Sequence, residues 1–288
     1  MIDSNTFVTL LVYGGTLGGV LALLSSGFTM IFGVVRMFNM AHGAYFVTGA
    51  YVTYLLTSAL SADPTLSTAL SAVIVGLVGG VIYRALLSRV KSHESTVIII
   101  TLALALIFEQ LLLIRFGEHG VNVKTIASGV VTVMGVPLPT MRLLALGVSL
   151  ITLLLLGFFV AKTRVGKQIV AASQDLEAAT IIGLRVERLF FVSVLVSSAL
   201  AGLGGALYAQ VYGVTPFLVF RVLVFAFAIV IFGGLGSVKG SIVASFVIGY
   251  VIVLTTMFIG ARWSDLVVLL VIVAILLLRP YGLFGVRD

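Results

Sequence analysis

Few side chains in this chain of 288 residues are equipped for chemistry, and their spacing leaves little chemistry open to them. The three histidines, His42, His93 and His119, stand far apart without partners at a useful spacing, so neither a catalytic cluster nor a metal site is predicted. There are no cysteines, which excludes disulfides, thiolate metal sites and thiol nucleophiles. The stretch Gly233-Gly234-Leu235-Gly236-Ser237-Val238-Lys239-Gly240 superficially resembles a phosphate-cradling loop. It lacks the G-x-x-x-x-G-K-[ST] spacing and lies between apolar runs instead of between a strand and a helix. Gly233, Gly234, Gly236 and Gly240 therefore read as a tight turn joining two helices.

Two polar placements remain. In Asn39-Met40-Ala41-His42-Gly43 an amide and an imidazole sit beside a glycine at the start of an apolar segment. Polar groups near hydrocarbon cost a few kcal/mol unless partnered, so they turn toward the bundle interior or an aqueous cavity. Asn39, His42 and Gly43 thus fit either a translocation path or gate, or a capping and packing motif in which His42 bonds a carbonyl. Glu109 follows the run ITLALALIF and stands near the end of an apolar segment. It is either a path residue or an interfacial carboxylate close to Arg115.

The elements that position these residues are membrane helices. Hydrophobic residues make up 61% of the chain and charged ones 9%, with mean hydropathy +1.28, whereas a soluble domain carries about 25% charged residues. Apolar runs fall at about 7–34, 41–58, 66–87, 96–114, 142–161, 189–210, 222–236, 241–259 and 264–279, each at or near the roughly 20 residues that cross a bilayer. The first is too long for one straight span and three others are short. The expected fold is an all-α transmembrane bundle of eight to ten spans in a single domain, some of them broken or re-entrant. Glycines four apart, Gly14/Gly18, Gly15/Gly19 and Gly76/Gly80, mark close helix contacts, either within the chain or between subunits.

The net charge of +7 does not indicate nucleic acid, because the cations stand singly or in short clusters without a continuous basic face. They set orientation instead. Placing the loops rich in Lys and Arg on the cytoplasmic side puts twelve cations inside and five outside, with a cytoplasmic carboxyl terminus. The outer loop, about 115–141, is rich in Gly and Pro and suits a turn-rich cap with short strands, either a plain connector or a docking surface. Arg262, Trp263 and Asp265 read as an outer interfacial anchor.

The cytoplasmic loop, about 162–188, is the most informative stretch. A helix is predicted over 167–182, lying at the membrane surface and stopped by Gly183. Ala171, Asp175, Ala178 and Ile182 would share one face, a small-residue surface suited to entering another protein's groove. The alternative is a solvated connector.

Here the chain resembles the permease subunits of branched-chain amino-acid ATP-binding-cassette importers, whose relatives include urea and short-amide permeases. The resemblance rests on Gly166, Ala171, Ala172, Asp175, Ala178, Ala179, Gly183 and Leu184, on FGVVRMFNMAHGAYFVTGAYV from Phe32, on FGGLGSVKGSIVASFVIG from Phe232 and on the closing RPYGLFG from Arg279. It implies a type II-like permease fold working by alternating access, with the loop helix coupling it to partner ATPases. It also implies a second permease subunit, copy or paralogue, two ATPase subunits that bind ATP and Mg, and an extracytoplasmic solute-binding protein. This chain would then bind no cofactor and catalyse no covalent reaction. The competing class is an ion-coupled transporter or channel, but apart from Glu109 the segment interiors hold almost no ionisable residues to bind the coupling ion.

Overall fold

A segment that is apolar on every side belongs in the middle of a bundle, and the computed structural model, which describes residues 4–91, 93–279 and 282–284, places the first one there. Helix α1 (Ser4–Val35) is buried continuously from Gly14 to Ile31. This run, read as too long for one straight span, is not broken. Its 32 residues form one helix, about 48 Å at 1.5 Å per residue, and the surplus over the roughly 30 Å hydrocarbon core projects beyond it. The projecting end is covered, because Val8, Val12 and Tyr13 pack against Val133, Val136 and Leu138 of the hairpin in the 115–141 loop.

Around α1 stand α2 (His42–Ser58), α3 (Pro64–Val90), α4 (Glu94–Phe116), α5 (Thr140–Lys162), α6 (Arg164–Gln174), α7 (Leu176–Ile181), α8 (Val186–Tyr212), α9 (Leu218–Gly233), α10 (Val238–Phe258) and α11 (Ser264–Leu278). Each of the nine apolar runs falls on one of these helices. Among the described residues seven helices are long and apolar enough to cross a membrane, counting the turn Ala261–Trp263 with α11. A further, shorter apolar helix is α9, of 16 residues, and the expected eight to ten spans are matched only approximately.

Small residues set the spacing. Gly49 and Phe46 of α2 lie against the backbone of Gly202 and Gly205 on α8, where an added Cβ would strike main chain. The three glycine pairs read from the sequence all pack within the chain: Gly14 and Gly18 against Tyr250 and Phe246 of α10, Gly15 and Gly19 against Leu146 and Ser149 of α5, Gly76 and Gly80 against α8. Hydroxyls add a seam between α1 and α10, with Ser25 bonded to Ser245 at 2.6 Å and Thr29 to Ser241 at 2.5 Å. Such bonds contribute about 0.6 kcal/mol each inside a membrane.

The 115–141 loop carries the short strands expected of it. Strands β1 (Val130–Val133) and β2 (Val136–Pro139) pair antiparallel around Met134 and Gly135, both with positive φ (49° and 84°), the geometry of a two-residue hairpin turn. Gln210, buried on α8, clips the loop down by accepting from the Ile126 amide at 2.9 Å and donating to Thr68 at 2.9 Å. At the other end of the bundle Lys91 pairs with Glu187, which also accepts from the Tyr83 hydroxyl at 2.9 Å. The end of α3 with Arg84, Arg89 and the adjoining Lys91 therefore shares one end of the bundle with residues 162–188, as the charge argument requires. Arg287, Pro280, Tyr281 and Gly285 lie outside the described residues.

Candidate functional site

The 162–188 loop folds differently from its sequence expectation. A single helix over 167–182 is corrected to two, α6 and α7, meeting at Asp175, whose backbone is extended (φ −147°, ψ 107°). The physical reason is capping. Asp175 accepts from the Ala178 amide at 2.9 Å, satisfying an orphan donor of α7, and this competes with continuing the helix. Ala171, Asp175, Ala178 and Ile182 consequently do not form one helical stripe, although all four are exposed.

Gly183 is the helix stop read from the sequence, whereas Gly166, Ala172 and Ala179, expected at the coupling surface, are buried against the bundle. Gly183 has φ +83° and closes α7, its amide bonding the Thr180 carbonyl at 3.0 Å and the next amide, Leu184, bonding the Ala179 carbonyl at 3.0 Å. Gly166 lies against the backbone of Phe159 and Val160 where a side chain has no room, and Thr163 caps α6 by accepting from the Gly166 amide at 2.9 Å. Ile169, Ala172 and Ala179 face inward onto Tyr83, Leu87, Val97 and Phe190. Outward, Ile181 and Ile182 are 79% and 72% exposed beside Ala178. The pair of short helices is thus anchored below and leaves an apolar shelf above.

Asn39, His42 and Gly43 sit at a break. After α1 ends at Val35 the chain turns at Arg36 (φ +52°) and runs without helix to Ala41. His42 Nε2 then donates to the Leu24 carbonyl at 2.9 Å, and Leu24 lies eleven residues, roughly 16 Å, before Val35. Helix α2 therefore begins inside the bundle. The returning strand takes its bonds from neighbours: Ala41 N–H donates to Asn39 Oδ1 at 3.0 Å and Met40 N–H to Thr101 Oγ1 of α4 at 3.1 Å. Asn39 and His42 are both buried, with Asn39 beside the Tyr45 hydroxyl and His42 Nδ1 without a hydrogen-bond partner. Gly43 meets the α9 backbone at Val219. Glu109 does not join them: it is half-buried on α4, Oε2 has no partner, and no ion pair links it to Arg115.

The turn glycines close a helical hairpin. Gly234 (φ +102°) and Gly236 (φ +83°) turn the chain, Ser237 caps α10 through the Gly240 amide at 3.1 Å, and the Gly233 and Gly240 backbones touch. Phe284 N–H donates to the Gly233 carbonyl at 3.1 Å, tying the closing segment to the same turn.

These separate stretches converge. One cleft of about 980 Å³ is lined by Phe32 and Phe38, by Ser173 and Gln174 of α6, and by Gly236 and Ser237 of the turn. Above it Phe38 stacks on Phe227 (ring centroids 5.6 Å), Phe227 meets Phe28 edge-on (4.6 Å), and Phe28 meets the His42 ring (5.4 Å). A series of ring contacts therefore runs from Phe38 at the cleft to His42. Among the described residues no three His, Asp or Glu groups could hold a metal ion.

A family model for the permease component of branched-chain amino-acid transport systems matches residues 10–276. The chain belongs to this family. Relatives include the high-affinity branched-chain amino-acid transport system permease protein LivH of Escherichia coli, 25% identical with 97% of this chain and 96% of the relative covered. BraD of Pseudomonas aeruginosa, which carries the same description, is 24% identical with 96% and 94% covered. A probable branched-chain amino-acid transport permease protein LivH of Methanocaldococcus jannaschii is 27% identical with 92% and 89% covered. No solved structure is significantly similar to the chain. As a family member with seven apolar spanning helices, it is a multi-pass membrane protein.

Sequence reasoning missed the polar pairs that join distant segments. Arg221 on α9 pairs with Asp265 on α11 at 2.6 Å, and Arg142 bonds the Tyr212 hydroxyl at 3.1 Å. A cation isolated in an apolar stretch is the only signal either pair leaves, and it names no partner.

Proposed function

We propose that this chain is the membrane-spanning permease subunit of an ATP-binding-cassette importer, moving a branched-chain amino acid or a similar small polar solute inward across the cytoplasmic membrane by alternating access. The convergence on the large cleft carries this reading. The loop that would dock an ATPase, the backbone break leading to Asn39 and His42, and the glycine turn all border one space, so a push on α6 would be felt at Phe38 and along the ring contacts that lead to His42. The apolar shelf of Ile181 and Ile182 beside Ala178 is the surface that a partner would cover.

In this scheme the 162–188 loop and the carboxyl terminus are cytoplasmic, and the β1–β2 hairpin faces outward toward an extracytoplasmic solute-binding protein. Two ATPase subunits bind ATP and Mg, a second permease subunit completes the membrane unit, and this chain catalyses no covalent step. Asn39, His42 and Gly43 form the inner gate of the path. Glu109, apart from that seat, is assigned a place along the path nearer the outer end of α4.

Co-expression with the candidate ATPase subunits and purification in detergent tests this. Stable co-purification is expected, and Asp175→Arg or Ala178→Arg abolishes it while leaving the permease monodisperse. Solute uptake driven by an ion gradient with this chain alone overturns the proposal.

A further inference from the structure

We infer that the end of the bundle opposite the 162–188 loop holds a second solute site, a subsite for a small carboxylate built around Arg142; the inference deepens the transport reading and rests on it. Arg142 stands in the first turn of α5 and its guanidinium lies against two rings, 3.7 Å from the centroid of Tyr13 on α1 and 4.8 Å from that of Tyr212 on α8. Contact with the Tyr13 ring and the bond to Tyr212 hold the group in place, and its remaining N–H donors stay open. Of its five donors the structure engages one, with the Tyr212 hydroxyl at 3.1 Å. Among the described residues the only ion pairs are Lys91 with Glu187 and Arg221 with Asp265, so no carboxylate neutralises Arg142.

The charge borders a cavity. About 400 Å³ of space lies against Arg142, within the range of about 300–1,000 Å³ common for small-molecule sites. Its wall includes Thr125 and the exposed Ser128, whose hydroxyls bond no other group among the described residues, and the apolar side chains of Ala127, Met141 and Val211. A preorganised guanidinium, two unused hydroxyls and an apolar wall together fit a carboxylate on a short aliphatic skeleton. The wall is also held in place, because Gln210 pins Ile126 between Thr125 and Ala127. A bidentate bond to Arg supplies both charge and orientation, so the carboxylate end would be received first and the aliphatic part laid against Met141 and Val211.

Equilibrium binding to the purified full chain in lipid nanodiscs tests this without any ATPase, using leucine and isovalerate as carboxylate probes and leucinamide and isovaleramide as matched neutral-end controls. Both carboxylates are expected to bind saturably, and each amide at least about tenfold more weakly, the discrimination that a charged bidentate bond supports. Arg142→Gln, which keeps an amide donor for Tyr212, should weaken the carboxylates about tenfold and leave the amides unchanged; Arg142→Lys should recover part of the loss. Unchanged thermal midpoints of both variants establish that the fold is intact. Equal binding of acids and amides, an Arg142→Gln variant that binds leucine as the wild type does, or no saturable carboxylate binding overturns the subsite. In the last case an acidic side chain of a partner protein becomes the alternative occupant. Co-purification with ATPase subunits judges the transport reading separately, so the two fail independently.

Discussion

Replacing Asp175 by alanine removes the acceptor that the Ala178 amide uses at 2.9 Å, at the point where α6 gives way to α7. Loss of an N-cap costs about 1 kcal/mol, and α7 has only 6 residues, too few to hold a helix without its cap and its packing. Since about 1.4 kcal/mol is a factor of ten, the correctly shaped shelf should fall in population by about fivefold relative to its unwound alternatives. Solute-stimulated ATP hydrolysis by the reconstituted complex reads this directly and should fall by up to about fivefold. Asp175→Asn and Asp175→Ser keep a side-chain oxygen at the cap and should retain most of the coupling. Coupling lost equally in the Asn and Ala variants would refute the capping argument and assign the role to the negative charge. Full coupling in Asp175→Ala would remove Asp175 from the coupling machinery altogether.

Other perturbations separate packing from chemistry. Gly49→Val puts side-chain atoms into the Gly202 backbone and should cost about 1–3 kcal/mol or more, seen as loss of monodisperse protein in size-exclusion chromatography, while Gly147→Ala, which meets nothing within 4 Å, should behave as wild type. A double-mutant cycle on Thr29→Val and Ser241→Ala should return a coupling near 0.6 kcal/mol by equilibrium unfolding in mixed micelles; a coupling indistinguishable from zero would discount the hydroxyl seam. Asp63 caps α3, and the amides of Leu66 and then Thr65 hold its carboxyl below its ordinary value of 3.8. Its folded-state pKa being depressed, the stabilisation is complete above 3.8 and is lost as pH falls through the lower folded value. The difference in thermal midpoint between wild type and Asp63→Ala should therefore shrink in acid.

Much of the fold was legible because lipid permits few solutions. Long apolar runs become helices, and glycines four apart become contacts between them. The boundaries that moved did so for local reasons. The run read as 222–236 is the helix Leu218–Gly233, because Arg221, which interrupts the apolar pattern, is tolerated inside a helix by pairing with Asp265, and Gly234 with φ +102° ends it early. The break in the 162–188 loop escaped the reading because helical spacing treats Asp175 as one more face residue, while its capping bond is a competing local choice. The cleft was legible only in pieces, as three stretches that resemble one family. Their meeting depends on packing between residues some 200 positions apart, which no spacing along the chain encodes.

The backbone break before α2 also constrains how the bundle can move. Between Arg36 and Ala41 the peptide groups have left one helix and not yet joined the next, and the Met40 amide depends on a hydroxyl belonging to α4. For that amide Thr101 is in effect a piece of borrowed main chain. Any motion that draws α4 away from α2 strands a polar group in an apolar interior, a cost of a few kcal/mol unless water takes the vacated place. Separation of these two helices is therefore coupled to wetting of the space between them, and a dry opening at this point is disfavoured by that cost.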